Sequence, residues 1–252
     1  MSAILLSLSV LAFPVQAFDR YTAHGGPVRD LTISPDGSML VSASFDYSAV
    51  VWTAPQITEK STLYAHEAAV NTARFSPDGK LLATAGDDGR IYLWKKNVLA
   101  DEDPEPIILS GHKGKVVNLA FSDDGSLLAS ASWDGSIGLW RLDRGPEAAA
   151  EDSRFILGHD GPVNMVQFAP NGTHLYSAGY DGQVRYWKLS NGEYLRSVVR
   201  NGWSVSVMAI DEQGDMIAFG SSDGTMNIER LSDGKGILRI GDERVPVLAI
   251  YH

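Results

Sequence analysis

Four histidines, His24, His66, His112 and His159, stand 42, 46 and 47 residues apart, and a period of that length belongs to arrays of small repeated units, a propeller or a solenoid. Each is followed four residues later by a valine: Val28, Val70, Val116 and Val163. Turns follow at Ser34-Pro-Asp-Gly37, Ser76-Pro-Asp-Gly79, Ser122-Asp-Asp-Gly125 and Ala169-Pro-Asn-Gly172, and the units close on Trp52, Trp94, Trp140 and Trp187. Between these landmarks apolar residues alternate with small or polar ones. In the unit at 111–140 the runs are Val116 to Phe121, Leu127 to Ser132, and a third ending at Trp140. That is the period of a half-buried strand, and the Asp-Gly pairs between runs supply the positive φ of a tight hairpin. With a fourth run before the next histidine, such as Pro106 to Leu109, each unit predicts one four-stranded antiparallel propeller blade.

On these residues the chain resembles the WD-repeat (WD-40) β-propeller family, from about Phe18 to His252. The resemblance implies an all-β fold and a buried tetrad of His, Ser or Thr, Asp and Trp in each regular blade. The matching positions are His24, Ser42, Asp46 and Trp52; His66, Thr84, Asp88 and Trp94; His112, Ser130, Asp134 and Trp140; and His159, Ser177, Asp181 and Trp187. The Asp that follows Trp in the family's name motif is absent; Thr53, Lys95, Arg141 and Lys188 stand there. Four regular blades are expected at about 24–64, 66–109, 112–157 and 159–199, with outer strands near Ser61–Tyr64, Pro106–Leu109, Arg154–Leu157 and Tyr194–Val198. A degenerate fifth unit, 201–240, has Asn201, Phe219 and Glu229 in the His, Ser/Thr and Trp places and keeps only Asp223. Its strand pattern persists at Val205–Ile210, Met216–Gly220 and Met226–Leu231. Asp223 is expected to face solvent, because a buried unpaired carboxylate is costly. An incomplete closing blade would take an inner strand from 241–252 (Val245 to His252) and an outer strand from 18–22. Two strands would be missing between them, so the sequence is expected to be a fragment of a longer product.

The first seventeen residues differ from the rest. Ile4 to Phe13 is an apolar run broken only by Ser7 and Ser9, and Pro14 and Val15-Gln16-Ala17 follow it. Small residues at that distance suit signal peptidase, and the run is too short to span a bilayer. A cleaved signal peptide at 1–17 implies a periplasmic or secreted protein; the other reading, a buried propeller strand, is compatible with the cytoplasm. The net charge is −10, from 31 acidic and 21 basic residues, with no basic run, which disfavours a nucleic-acid partner. No cysteine is present, so disulfides, thiol catalysis, thiolate metal sites and covalent haem attachment are excluded from this stretch.

His, Ser and Asp together raise the question of a hydrolase triad. Nucleophilic catalysis needs one such set, exposed in a cleft with an oxyanion hole. A set that occurs four times, each with a tryptophan, instead fits a buried hydrogen-bond relay in which every polar group has a partner. No metal or cofactor site is expected: His174 and His252 have no carboxylate pair at ligand spacing. The acidic connections Lys95–Glu105 and Asp143–Asp152 read as solvated loops, with weak calcium binding as the other possibility. The residues just before the tetrad aspartates, Phe45, Asp87, Trp133, Tyr180 and Ser222, share one rim. Trp203 opens on the same face, and Arg29 is near. In the family that face surrounds the channel mouth and commonly binds partners. Phe45, Trp133, Tyr180 and Trp203 therefore either anchor a protein or peptide partner or pack flat on neighbouring blades. The function expected is a non-catalytic interaction scaffold. The alternative is a propeller module of a larger exported protein, for example one fused to a c-type cytochrome. An enzyme at the channel mouth is disfavoured, since no unrepeated acid, base or nucleophile cluster stands out.

Overall fold

A computed structural model describes residues 23–99, 101, 104–149, 151 and 153–241. The signal-like run, the expected closing strand Phe18–Tyr21 and the expected inner strand Val245–His252 lie outside them.

Five four-stranded antiparallel sheets follow one another along the chain. The first holds β1 (Val28–Ile33), β2 (Met39–Ser44), β3 (Ala49–Thr53) and β4 (Thr58–Leu63); the second β5 (Val70–Phe75), β6 (Leu81–Gly86), β7 (Ile91–Lys95) and β8 (Ile107–Leu109). The third holds β9 (Val116–Phe121), β10 (Leu127–Ser132), β11 (Ser136–Arg141) and β12 (Ser153–Leu157); the fourth β13 (Val163–Phe168), β14 (His174–Gly179), β15 (Gln183–Lys188) and β16 (Glu193–Arg200). The fifth holds β17 (Val205–Ile210), β18 (Met216–Ser221), β19 (Thr225–Arg230) and β20 (Gly236–Gly241). Each sheet is a meander in chain order, and the first strands lie side by side, β1 with β5, β5 with β9, β9 with β13 and β13 with β17. These are successive blades of a propeller.

Each blade buries both faces of its middle strands, and this explains their composition. In β10 the residues Ala129 and Ala131 join Ile137 and Leu139 in a core shared with Val163, Val166, Leu175 and Trp187 of the fourth blade. Leu128 and Trp140, on the opposite face, join Ile91, Leu93 and Leu109 of the second blade. The first and second blades share Val41, Val51 and Leu63 with Val70, Leu82 and Trp94; the fourth and fifth share Tyr176, Ala178 and Val184 with Met208, Ile217 and Phe219. The outer strands are wetter, and β20 is exposed along its length.

Side chains of the first strands also fasten one blade to the next. Asp30 Oδ2 accepts hydrogen bonds from Thr72 Oγ1 (2.9 Å), the Ala73 amide (3.1 Å) and Arg74 Nη1. Asn118 Oδ1 accepts from the Val166 amide at 3.0 Å, and Asn164 Nδ2 donates to Val205 O at 2.9 Å. Three of these bonds thus reach backbone groups of the next blade's first strand, the amides of Ala73 and Val166 and the carbonyl of Val205.

Two expectations need correction. The acidic connections are not simply solvated loops: each contains a 3-10 turn, Lys96–Val98 and Pro146–Ala148, and the residue after it, Leu99 or Ala149, is fully buried in an inter-blade core. Asp223 does not face solvent; it is 8% exposed. Its own turn supplies the missing partners, since Oδ1 accepts from the Thr225 amide (3.1 Å) and Thr225 Oγ1 (2.8 Å). Arg239 on β20 stands 3.6 Å from Oδ2. Burial is tolerated because the carboxylate is neither unbonded nor without a counter-charge.

Candidate functional site

The four tetrads form four copies of one hydrogen-bond chain. The tryptophan Nε1 lies 2.9, 3.0, 3.0 and 2.8 Å from the oxygen of Ser42, Thr84, Ser130 and Ser177. Those oxygens lie 2.7, 3.0, 2.7 and 2.8 Å from Nε2 of His24, His66, His112 and His159. The histidine Nδ1 then meets Asp46, Asp88, Asp134 and Asp181 at 2.9, 2.9, 3.2 and 2.8 Å. An indole N–H can only donate and an ionised carboxylate can only accept, which for a neutral histidine fixes every proton along the chain. The hydroxyl accepts from tryptophan and donates to Nε2, so Nδ1–H donates to the carboxylate. Each hydroxyl is thus used in both directions, and none is more than 3% exposed. These are not nucleophiles poised over a cleft. They tie the second strand, the third strand, the turn between them and the segment entering the blade to one another.

Gly138 in β11 shows how tightly the chain is enclosed. A Cβ there would collide with Ser130 Oγ, Trp140 Nε1 and His112 Nε2. The space beside it is filled by Phe155 from the neighbouring β12, whose ring stands edge-on to His112 and Trp140 with centroids 5.0 and 5.2 Å away.

The charges follow from the bonding. Burial alone would raise the carboxyl of Asp46. Hydrogen bonds from Ser48, from His24 and from the Gly25 and Ser48 amides outweigh it and lower the pKa to about 2. Asp134 is likewise lowered to about 2 by Ser136 and the amides of Lys113 and Ser136 against its own burial. Asp88 and Asp181 shift down for the same reasons. His112 and His159 are lowered, chiefly by burial, against the pull of their aspartates, so they stay neutral and keep the tautomer the chain requires. Among the described residues no three His, Asp or Glu side chains converge so as to hold a metal ion.

The turn that holds each tetrad aspartate also presents the rim residue. In all five blades the amide just before the aspartate donates to the carbonyl of the segment entering the blade: Phe45 to Pro27 O, Asp87 to Ala69 O, Trp133 to Lys115 O, Tyr180 to Pro162 O and Ser222 to Ser204 O, at 2.8–3.0 Å. The five positions are therefore equivalent and lie on one face. Phe45 is 42% exposed, Trp133 50%, Tyr180 66% and Trp203 59%, so each keeps a large part of its ring open to water. Arg29 lies over the Phe45 ring, 5.2 Å from Cζ to centroid, and Lys115 lies over Trp133 at 5.5 Å. Lys115 also pairs with Asp87, the rim residue of the second blade. The bare faces of the arc are thus aromatic, and its gaps carry charge.

Two exposed aromatics on the same face, Tyr47 (53%) and Tyr64 (80%), were not singled out from the sequence. Tyr47 had a legible signal. It takes the place that Gly89, Gly135, Gly182 and Gly224 hold in the other turns, and it shares their left-handed backbone, with φ 72° against 73–86°. A bulky side chain there is strained.

Comparison with known proteins agrees with this geometry. The family model of the WD domain, G-beta repeat, matches residues 16–53, 57–95, 105–141 and 151–188, more than half of the chain. The fifth blade, which lacks three of four tetrad residues, lies outside these matches. No curated protein matches the chain.

Two outcomes follow. Neutral histidines held below their ordinary 6.5 and carboxylates held below 3.8 both make the unfolded chain bind more protons at acid pH. Stability should be level above pH 6.5, then fall as the pH drops through the histidine and carboxylate ranges toward 2. Urea midpoints across pH 3–8 check it (on the order of six points, enough to resolve a slope); midpoints that rise on acidification would contradict it. Replacing Tyr47 by Gly should raise the melting temperature slightly, since relief of about 1–2 kcal/mol of left-handed strain exceeds about 0.5–1 kcal/mol of glycine entropy; a lower melting temperature would show that the backbone there is unstrained.

Proposed function

The chain belongs to the WD domain, G-beta repeat (WD40) family, and from that premise we propose that it is a non-catalytic scaffold that binds a protein or peptide across the rim bearing Phe45, Trp133, Tyr180 and Trp203. WD40 repeats act generally as protein-interaction scaffolds, and propellers of the family are typically non-catalytic. The observation that carries the finer reading is the exposure of large aromatic residues at equivalent turns of one face. Aromatic and arginine side chains are the residues that anchor protein interfaces when a partner removes them from water. Such residues have no folding reason to stand at turn tips that the buried relay already holds in place.

The charged gaps support recognition of a partner with both apolar and polar contacts. Among the described residues no helix is long and apolar enough to cross a membrane. The net charge of −10 opposes binding to phosphate backbones. Export is part of the same proposal, resting on the apolar run Ile4–Phe13 and the small residues after Pro14.

Peptides selected from a random phage-displayed library on the wild-type protein provide the probe. The double variant Trp133→Ala, Tyr180→Ala should bind them at least about tenfold more weakly with its melting temperature unchanged. Undiminished affinity would refute rim binding, and a large loss of stability would show the two rings to be packing residues. Protein purified from the native host should begin at Phe18; an intact Met1 would refute export by this signal.

A further inference from the structure

The face opposite the rim carries a second feature. There the turns between first and second strands and the connections from third to fourth strands form a groove of ≈ 800 Å³ across the first three blades. Its floor is apolar, with Leu81 from β6 and Leu142 just after β11. Its walls carry Lys60, Lys80, Lys95 and Lys96. The whole chain has eight lysines and a net charge of −10, so half of them border one groove on an acidic protein. Two carboxylates, Asp78 and Asp124, share the lining. Both are committed to their own turns: Asp78 Oδ1 accepts from Ser76 Oγ and the Lys80 amide, and Asp124 Oδ1 from Ser122 Oγ, Ser126 Oγ and the Ser126 amide.

Three of the lysines have partners, Lys80 with Asp78 (3.0 Å), Lys95 with Glu147 (2.5 Å) and Lys96 with Asp36 (2.5 Å). All three pairs are solvent-exposed, and exposed pairs add little to stability, so carboxylates on an incoming chain can replace them at little cost. Lys60 makes no ion pair among the described residues. Lysine stems can cover apolar surface while their ammonium heads stay in water, which suits a groove of this lining.

We propose that this groove is a second docking site, and that its occupant is an acidic peptide segment with apolar side chains between its carboxylates. The apolar side chains would enter over Leu81 and Leu142, and the carboxylates would meet the four ammonium groups. Charge complementarity selects the sign of the partner, and the apolar floor selects a peptide over a bare anion or a nucleic-acid backbone. A chain docked here would leave the aromatic rim free, so one propeller could hold two partners on opposite faces.

The test is fluorescence anisotropy of the full chain with a labelled peptide of alternating glutamate and leucine, its glutamine–leucine counterpart, and a single-stranded oligonucleotide of equal length. The glutamate peptide should bind and the glutamine peptide should not. The variant Lys60→Ala, Lys80→Ala should weaken binding about tenfold with an unchanged melting temperature, and Lys60→Arg, Lys80→Arg should largely restore it. Lys188→Ala with Lys235→Ala, on the fourth and fifth blades, should leave affinity unchanged. No binding of the glutamate peptide, equal binding of the glutamine peptide, or full affinity in the alanine variant would overturn the proposal; so would tighter binding of the oligonucleotide. Binding that instead disappears in the Trp133→Ala, Tyr180→Ala variant would place the peptide on the rim, and the groove would be unsupported.

Discussion

Every hydrophobic core among the described residues lies between two blades, and the rest of the structure depends on that. A single four-stranded meander of this sequence has two apolar faces and nothing to cover either. Ala129, Ala131, Ile137 and Leu139 need the fourth blade, while Leu128 and Trp140 need the second. Small residues in the middle strands let adjacent sheets approach, and large ones in their neighbours fill the space. Stability in such an array is a sum of blades and interfaces, so each blade must hold a fixed shape before its faces can match. The relay of His, Ser or Thr, Asp and Trp performs that task, using polar groups in a place where apolar packing alone would leave the turn loose.

The division of labour is sharpest at adjacent residues. Asp181 points inward, accepts from His159 and is nearly buried; Tyr180, one residue earlier on the same turn, is 66% exposed. One residue fixes the turn and its neighbour uses the fixed position. A binding surface built from such turns is pre-organised, which lowers the entropy a partner's arrival must overcome. Tyr47 carries the idea further, since its left-handed backbone is held against its own preference by the bonds around Asp46.

Much of this was legible in the residues. The alternation of period two placed β9 and β10 at their observed bounds, and the Asp-Gly pairs located the turns, because both signals are local. The fifth blade kept its alternation and so its fold, though it lost three tetrad residues; Phe219 replaces the relay's serine with apolar packing at 2% exposure. What escaped were features set by distant parts of the chain. Asp223 is bonded within its own turn, but its counter-charge, Arg239, comes from sixteen positions on. Leu99 and Ala149 looked like parts of acidic loops, and only the cores around them show why they are apolar. Lys60, Lys80, Lys95 and Lys96 come from an outer strand, a turn and a strand end, and blade packing alone brings them to one groove. Outer strands were placed less well: β4 and β16 each extend beyond the expected limits, since exposed strands have no apolar face to mark their ends.

The most direct measurement compares two single variants at that turn, Asp181→Ala and Tyr180→Ala, by thermal unfolding and by affinity for a peptide selected on the wild-type protein. The expected result is a crossed pair. Asp181→Ala should cost about 1–3 kcal/mol of stability through the stranded His159 while its folded form binds normally, and Tyr180→Ala should unfold like the wild type and bind weakly. Loss of stability in Tyr180→Ala with full affinity would contradict the assignment of the relay to structure and the rim to binding.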